Sequence, residues 1–162
     1  MTPKAMLEEN GLVTIGDVIP PIMLDFLEEM LTRKTAGSQL DHDNIVKSLG
    51  HVFSDVVQSV FDIDLEKTKE SCIYVANNRM PDPPNHIKYY DVGGIFRLAE
   101  NDKPKEYAIL YNQEGYDLQA GDAMVFSNQT QKPKAKLFKG SEDSYVIDFY
   151  VFWNIRSNDG TE

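Results

Sequence analysis

Apolar residues at helical spacing predict two helices in the first part of the chain. Residues 1–14 are expected to form a short strand or a tail, and 17–21, which ends in two prolines, is expected to begin the first helix. Proline is tolerated there because its missing N–H would have no partner in a first helical turn. The apolar positions that follow are Met23, Leu24, Leu27, Met30 and Leu31. We expect this helix to end at Gly37 and Ser38.

A second helix is predicted to begin at Asp43 or Asn44, either of which can cap a helix, and to run to about residue 61. Its apolar stripe consists of Ile45, Val46, Leu49, Val52, Phe53, Val56, Val57, Val60 and Phe61. This stripe is wider than a helix exposed to water needs, so we expect the helix to lie across a sheet. Asp41, His42 and Asp43 resemble a cluster of metal ligands, but we interpret them as loop and helix-cap residues.

From about residue 71 the apolar pattern changes to the alternation that is typical of β-strands. The predicted strands are CIYVAN, GIFRLA, YAILYN, DAMVFSN, KAKLF and SYVIDFYVFWNI, separated by segments rich in Pro, Gly, Asn and Asp. Two helices followed by several short strands predict an α+β fold, namely a β-sandwich or jelly roll with the N-terminal helices packed on one sheet. We expect a single domain over 1–162, with helical support over about 15–65 and a jelly-roll core over about 70–156.

The composition limits the classes of function that the chain can serve. The 162 residues carry a net charge of −10 and a single cysteine, Cys72. Nucleic-acid phosphates are bound by Lys and Arg, so an acidic chain suits a basic protein partner or a mimic of nucleic acid better than it suits nucleic acid itself. One cysteine cannot form an intramolecular disulfide, and we see no long apolar run or signal-like segment, so we expect a cytoplasmic protein without membrane contact.

The segment 116–126, YDLQAGDAMVF, combines a turn at Gly121 and Asp122 with an apolar strand. It lies about 30 residues after the loop PDPPNH, which is rich in Pro, Asn and His. In order and spacing these segments, with CIYVANNRM before them and DFYVFWNI after them, resemble the prolyl-hydroxylase-type branch of the iron(II)/2-oxoglutarate oxygenases. The resemblance covers about residues 15–155 and implies a double-stranded β-helix, which is a jelly roll.

The resemblance also implies an iron site made of two histidines and one carboxylate, with open positions for 2-oxoglutarate and oxygen. His86 stands where the first histidine belongs, but Lys88 stands in place of the carboxylate, and a protonated amine has no lone pair to donate. The second histidine is expected within 127–137, which contains none. Asp91 could replace the carboxylate only if the strand bulges, because its odd spacing from His86 places it on the opposite face.

The binding site for the co-substrate departs from the family as well. The family binds the distal carboxylate of 2-oxoglutarate through an Arg or Lys near a Gly. Near Gly140 this chain has Ser-Glu-Asp at 141–143, and carboxylates there would repel a dicarboxylic acid. In a shifted register Lys136 and Lys139 could bind the co-substrate instead.

Three lysines, Lys132, Lys134 and Lys136, recur at every second position. Residues with this spacing share one face of a strand. The pattern fits a solvated edge strand protected by lysines, and it also fits a face that binds an anion.

The departures from the ligand set favour a protein that has kept the fold, has lost the catalytic iron site and serves as a binding or assembly module. This hypothesis implies no cofactor, and a protein partner or self-association without nucleic acid or membrane. One alternative is a hydroxylase that uses Fe(II) and 2-oxoglutarate at a non-standard site with His86 and Asp91. Another is an acidic inhibitor or mimic whose binding to a basic partner weakens with salt.

Overall fold

A computed structural model describes the chain over 1–32, 39–66, 68–78, 89–128, 133–136 and 138–156, with the backbone alone for 39–42. The helices of these parts are α1 Pro3–Asn10, α2 Pro21–Thr32 and α3 Gln39–Phe61. The strands are β1 Leu12–Ile15, β2 Glu70–Ala76, β3 Val92–Glu100, β4 Lys105–Glu106, β5 Ile109–Tyr111, β6 Glu114–Tyr116, β7 Ala123–Ser127, β8 Lys134–Ala135, β9 Lys139–Gly140 and β10 Val146–Trp153. The fold therefore combines helices with mostly antiparallel sheets.

The chain begins with a short helix, where a short strand or a tail was predicted for residues 1–14. The Thr2 side chain accepts a hydrogen bond from the Ala5 N–H over 3.1 Å, and proline occupies the first turn. Gly11 ends the helix in the left-handed region at φ 76°, and its N–H donates to the Leu7 carbonyl over 2.9 Å. The predicted short strand follows as β1.

The apolar stripes predicted for the two long helices are confirmed, but the predicted start of the second of these helices was wrong. Helix α2 begins at Pro21, inside the predicted starting segment, while its predicted stop at residues 37–38 lies outside the described residues. Helix α3 begins at Gln39, so Asp43 and Asn44 do not cap it, and Asp41 and His42 belong to the helix and not to a loop. Asp and Asn are compatible with a first helical turn as well as with a cap, so the local sequence allowed both starts.

The large sheet has the strand order β1-β7-β3-β10-β2, with antiparallel pairing at each step. Every residue of β10, which lies between β3 and β2, is buried. The pairing of β3 with β10 is regular from Val92 opposite Trp153 up to a bulge between Ile147 and Asp148. The regular part of this pairing ends with Asp148 opposite Arg97, and the bulge beyond it leaves Leu98 of β3 as the extra residue.

Two smaller sheets complete the β-structure of the described residues, one of order β6-β5-β8 and one formed by β4 and β9. Strand β8 is an edge of the first. Lys134 and Lys136 are exposed on either side of the half-buried Ala135, as the alternation of lysines predicted. The predicted turn at Gly121 and Asp122 is confirmed, and it leads into β7.

The large sheet separates two apolar cores. On one face, side chains of α3 and the large sheet form the helix-side core, which includes Leu49, Phe53, Val57, Phe61, Phe96, Phe149, Val151 and Trp153. On the other face, side chains of the large and small sheets form the inter-sheet core, which includes Tyr74, Tyr90, Ile95, Tyr107, Ile109, Tyr111, Leu118, Met124, Phe126, Phe138, Val146, Tyr150 and Phe152. The prediction that helices pack on one sheet is confirmed. No helix within the described ranges has the length and apolar content needed to cross a membrane.

Candidate functional site

The inter-sheet core is rich in aromatic side chains that contact one another. The rings of Tyr90 and Phe152 lie 4.9 Å apart between centroids, and those of Tyr107 and Phe138 lie 5.8 Å apart. The backbone makes room for this packing at Gly93, where an added Cβ would stand 2.4 Å from the Phe126 ring. Tilted and edge-on rings at these separations attract one another in addition to burying apolar area.

A buried ion pair lies on the same face of the large sheet. The Arg97 Nε donates to the Asp148 Oδ1 over 2.5 Å, and its Nη1 donates to the Leu118 carbonyl over 2.6 Å. The side chains of Arg97 and Asp148 are 1% and 0% exposed. Glu100, three residues after Arg97 in β3, adds a second carboxylate, whose Oε2 lies 3.8 Å from Arg97 Nη1. The pair is held by strands β3 and β10, whose regular register sets these two residues opposite each other.

The charges of this pair depend on one another. Burial raises the pKa of the Asp148 carboxyl, while attraction and hydrogen bonding from Arg97 act in the opposite direction. Burial lowers the pKa of Arg97, but attraction and hydrogen bonding from Asp148 together with attraction to Glu100 and Tyr107 outweigh it, so the net shift is upward. Because neither group can reach water, removal of one partner leaves the other charged group in an apolar core.

Two tyrosines surround the ion pair. The Arg97 Cζ lies 5.7 Å from the centroid of the Tyr107 ring, within the range of a cation–π contact. Burial and then the charge of Asp148 raise the pKa of Tyr107, and the same two causes raise the pKa of Tyr150. Both phenols therefore stay protonated at neutral pH, and Arg97 links the large sheet to Leu118 and Tyr107 outside it.

A surface cleft of about 460 Å³ opens beside Arg97 and Tyr107 and exposes side chains of both signs, among them Glu100 and Lys103. The Lys105 amino group donates to the carbonyls of Asn101 and, over 3.0 Å, of Lys103, so it ties the loop before β4. Burial raises the pKa of Glu100, against the attraction of Arg97 and Lys105. The mixed charges give this cleft no preference for an anionic ligand.

The predicted metal ligands are placed only in part. His86 and Lys88 lie outside the described residues. Asp91 is exposed just before β3, and its Oδ2 accepts from the Ile155 N–H over 2.7 Å. The Asp91 N–H also donates to the Trp153 carbonyl over 2.9 Å. Asp91 thus fastens the start of β3 to the chain after β10, and its role as a ligand beside His86 stays a prediction.

The predicted co-substrate lysines lie on the small sheets. Lys136 is exposed, and its backbone N–H donates to the Ala108 carbonyl over 2.7 Å. Lys139 is exposed in β9 opposite Glu106 of β4. The acidic segment 141–143 that follows is exposed as well. A role for Lys136 and Lys139 in ligand binding stays a prediction.

Within the described residues, no three His, Cys, Asp or Glu side chains lie close enough to hold a metal ion. Cys72 is half-buried, and its pKa is raised by burial and then by the charge of Glu70, so the thiol stays protonated at neutral pH. The residues that the structure describes do not bring together the two imidazoles and one carboxylate that an oxygenase iron needs.

Sequence reasoning missed the pair of Arg97 and Asp148. A signal was present, because each is a single charged residue inside an otherwise apolar predicted strand, GIFRLA and SYVIDFYVFWNI. Charged residues are almost never fully buried unless they are paired. Two such strands with opposite charges could therefore have been matched to each other.

The sequence itself matches no protein-family model and no curated protein. The structure is similar to the crystal structure of a Pseudomonas putida prolyl-4-hydroxylase, with 14% identity, a TM-score of 0.56, and coverage of 94% of this chain and 97% of that chain. It is also similar to an oxidoreductase of the 2OG-Fe(II) oxygenase family from Burkholderia pseudomallei, with 11% identity, a TM-score of 0.56, and coverage of 93% and 87%. The chain is thus similar in fold to these two proteins over nearly its whole length.

Proposed function

We propose that the β-structure of this chain is a double-stranded β-helix, or jelly roll. From β3 onward the chain passes back and forth between the large and small sheets: β3 lies in the large sheet, β4 to β6 in small ones, β7 in the large, β8 and β9 in small ones and β10 in the large. Such alternation is how a jelly roll closes two sheets around one interior. The similarity in fold to a prolyl-4-hydroxylase and to a 2OG-Fe(II) oxygenase supports this assignment.

On this fold, we propose, the chain acts as a binding or assembly module and not as an iron-dependent oxygenase. The observation that carries the proposal is the filling of the space between the sheets. Aromatic rings and the ion pair of Arg97 and Asp148 occupy the described part of the inter-sheet core. In an oxygenase, that interior would have to admit a metal ion, a dicarboxylic acid and oxygen. Fold alone does not decide activity, so the residues of the interior carry the argument.

The sequence supports the same conclusion at three separate positions. Lys88 replaces the carboxylate ligand, the window 127–137 has no histidine, and 141–143 places two carboxylates where a cation is needed for 2-oxoglutarate. A single substitution could be offset by a neighbour, but these three departures affect the metal and the co-substrate independently. We propose a protein partner, or a second copy of the chain, as the ligand of this module.

The alternative is an Fe(II)- and 2-oxoglutarate-dependent hydroxylase with a non-standard site at His86 and Asp91. The names of the similar structures favour it, since one is a prolyl-4-hydroxylase and the other belongs to the 2OG-Fe(II) oxygenase family. It requires the Asp91 carboxylate to release the Ile155 N–H or to bind a metal while holding it.

Calorimetric titration with Mn(II), with and without 2-oxoglutarate, separates the two functions. Mn(II) stands in for Fe(II) and is stable in air. We expect no stoichiometric binding up to about 1 mM metal, because the donor set is incomplete. The matched variants are His86→Ala and His51→Ala, the second of which removes an exposed histidine of α3. Binding of one ion that His86→Ala abolishes and His51→Ala preserves would overturn the proposal and establish the alternative.

A further inference from the structure

Helix α2 exposes two large apolar side chains to solvent. Ile22 is 82% exposed and Phe26 is 60% exposed. The opposite side of the helix is buried at Leu27, and Leu24 and Leu31 pack on the helix-side core beside it. Helix α2 is therefore attached to the body of the protein by one apolar face and carries a second apolar face outward.

The outward position of these residues follows from helical geometry. Ile22 and Phe26 are one turn apart, so their side chains lie one above the other. At 100° per residue they point away from Leu27 and Leu31. A surface helix normally places polar residues on that side, and an outward pair of Ile and Phe departs from this pattern. Adjacent exposed apolar side chains of this size are typical of contact surfaces.

Acidic residues border the apolar pair. Asp25 and Glu29 are exposed on the same outward side, and α2 contains no Lys, Arg or His. Glu28, turned toward the sheet, accepts a hydrogen bond from the Tyr145 hydroxyl over 3.2 Å and so holds the helix in place. We name the surface formed by Ile22, Asp25, Phe26 and Glu29 the α2 face.

We infer that the α2 face docks an amphipathic segment of a partner protein whose apolar side is bordered by Lys and Arg. Ile22 and Phe26 offer apolar anchors that would be buried by such a segment, and aromatic anchors at the centre of an interface carry much of its free energy. Asp25 and Glu29 would face the basic residues at the rim, which increases the association rate and fixes the orientation. The inference deepens the proposed binding function and rests on it.

Charge complementarity selects this occupant over a second copy of the chain. In a symmetric dimer the same surface meets itself, so one interface would contain Asp25 and Glu29 of both copies. Like charges placed together across an interface are unfavourable, and each chain carries a net charge of −10. An anionic membrane surface would be repelled for the same reason.

The test uses two synthetic amphipathic helical peptides, one built from leucine and lysine and one from leucine and glutamate. Each is titrated by calorimetry into the full chain, into Ile22→Ser/Phe26→Ser and into Asp25→Lys/Glu29→Lys. The matched control is Val52→Ser, which removes an apolar side chain that is 39% exposed on α3. Circular dichroism and urea unfolding confirm that each variant is folded.

We expect the leucine–lysine peptide to bind the full chain and the Val52→Ser variant equally. Its affinity should fall at least about tenfold in Ile22→Ser/Phe26→Ser and in Asp25→Lys/Glu29→Lys, while the leucine–glutamate peptide should not bind. No binding to the full chain, or equal binding to all variants through general attraction to an acidic surface, would overturn the inference. So would dimers of the full chain in sedimentation experiments that Ile22→Ser/Phe26→Ser dissociates.

The two proposals fail separately. Mn(II) binding that requires His86 would overturn the proposed function and would leave the peptide result unchanged. Peptide binding that does not depend on Ile22 and Phe26 would overturn the docking surface and would leave the metal result unchanged.

Discussion

At the scale of single residues, the free energy of folding is sensitive to the ion pair of Arg97 and Asp148. Asp148→Ala should lower the free energy of unfolding by about 3–5 kcal/mol, because it leaves the Arg97 guanidinium charged and without its carboxylate in a dry interior. Urea denaturation followed by circular dichroism measures the loss. Asp55→Ala removes an exposed carboxylate of α3 and should change stability by less than about 0.5 kcal/mol.

The physical cause of the stability lost in Asp148→Ala is tested by removing both charges of the pair. Arg97→Met/Asp148→Leu should recover most of the stability that Asp148→Ala loses, since apolar side chains of similar volume carry no desolvation cost. If the double variant were as unstable as Asp148→Ala, the loss would come from packing and not from an unpaired charge.

Titration of Tyr90 makes the free energy of unfolding depend on pH in the alkaline range. Burial raises the pKa of its phenol from 10.0 to about 12. Between these values the unfolded chain loses the proton while the folded chain keeps it, so the unfolded state binds fewer protons and stability falls as pH rises. The contribution of the protonated Tyr90 phenol to the free energy of unfolding is complete below pH 10. It is lost as pH approaches 12, by at most about 1.4 kcal/mol per pH unit.

Urea unfolding at a series of alkaline pH values measures this slope. Tyr90→Phe should make it shallower, because the variant has no phenol to protect at this position. Tyr89→Phe is the matched control: this neighbouring side chain is 77% exposed in the folded protein, so its removal should leave the slope unchanged. Identical slopes for the original protein and Tyr90→Phe would show that the phenol of Tyr90 reaches water.

At the scale of elements, one aromatic contact attaches α3 to the large sheet. The rings of Phe53 and Phe96 stack with centroids 3.9 Å apart and planes 6° from parallel, and Phe53 is 1% exposed. Phe53→Ala should lower the free energy of unfolding by about 3–5 kcal/mol, through lost burial and the cavity left against the sheet. Val52→Ala, at the exposed neighbouring position, should change it by less than about 0.5 kcal/mol. Similar losses for both variants in urea denaturation would mean that α3 is held by its own helical propensity.

At the scale of the whole molecule, the shared sheet predicts a single cooperative unit over residues 1–162. Alternate residues of β10 enter the two cores, with Phe149 and Trp153 on the helix side and Tyr150 and Phe152 between the sheets. Neither core can open without exposing the other face of the same strand, so unfolding should be two-state.

The single tryptophan, Trp153, makes this testable because it is buried in the helix-side core, while tyrosines dominate the inter-sheet core. Tryptophan fluorescence and tyrosine near-ultraviolet circular dichroism should report the same midpoint in urea. The calorimetric and van't Hoff enthalpies should also agree. Separate midpoints would divide the chain into a helical part and a β-part that unfold independently.

The sequence by itself determined the elements whose periodicity is long and regular. The apolar stripes of α2 and α3 and the apolar runs of β2, β3, β7 and β10 are properties of neighbouring residues, and burial in a core requires them wherever the chain folds. The order of these elements also determined the class of fold, which the structure confirms as helices packed on a mostly antiparallel sheet. Helix α1 was missed, although Thr2 and Gly11 are good helix ends, because an eight-residue helix depends on the packing of Leu7.

The tertiary structure decided which residues meet. Strands β4, β6 and β9 are two or three residues long, too short for a period, and exist only because a partner strand is at hand. The pairing of Arg97 with Asp148 depends on the register between β3 and β10, and the exposure of Ile22 and Phe26 depends on which face of α2 the sheet covers. Contacts between residues far apart in the chain depend on register and layer packing, which no local pattern encodes.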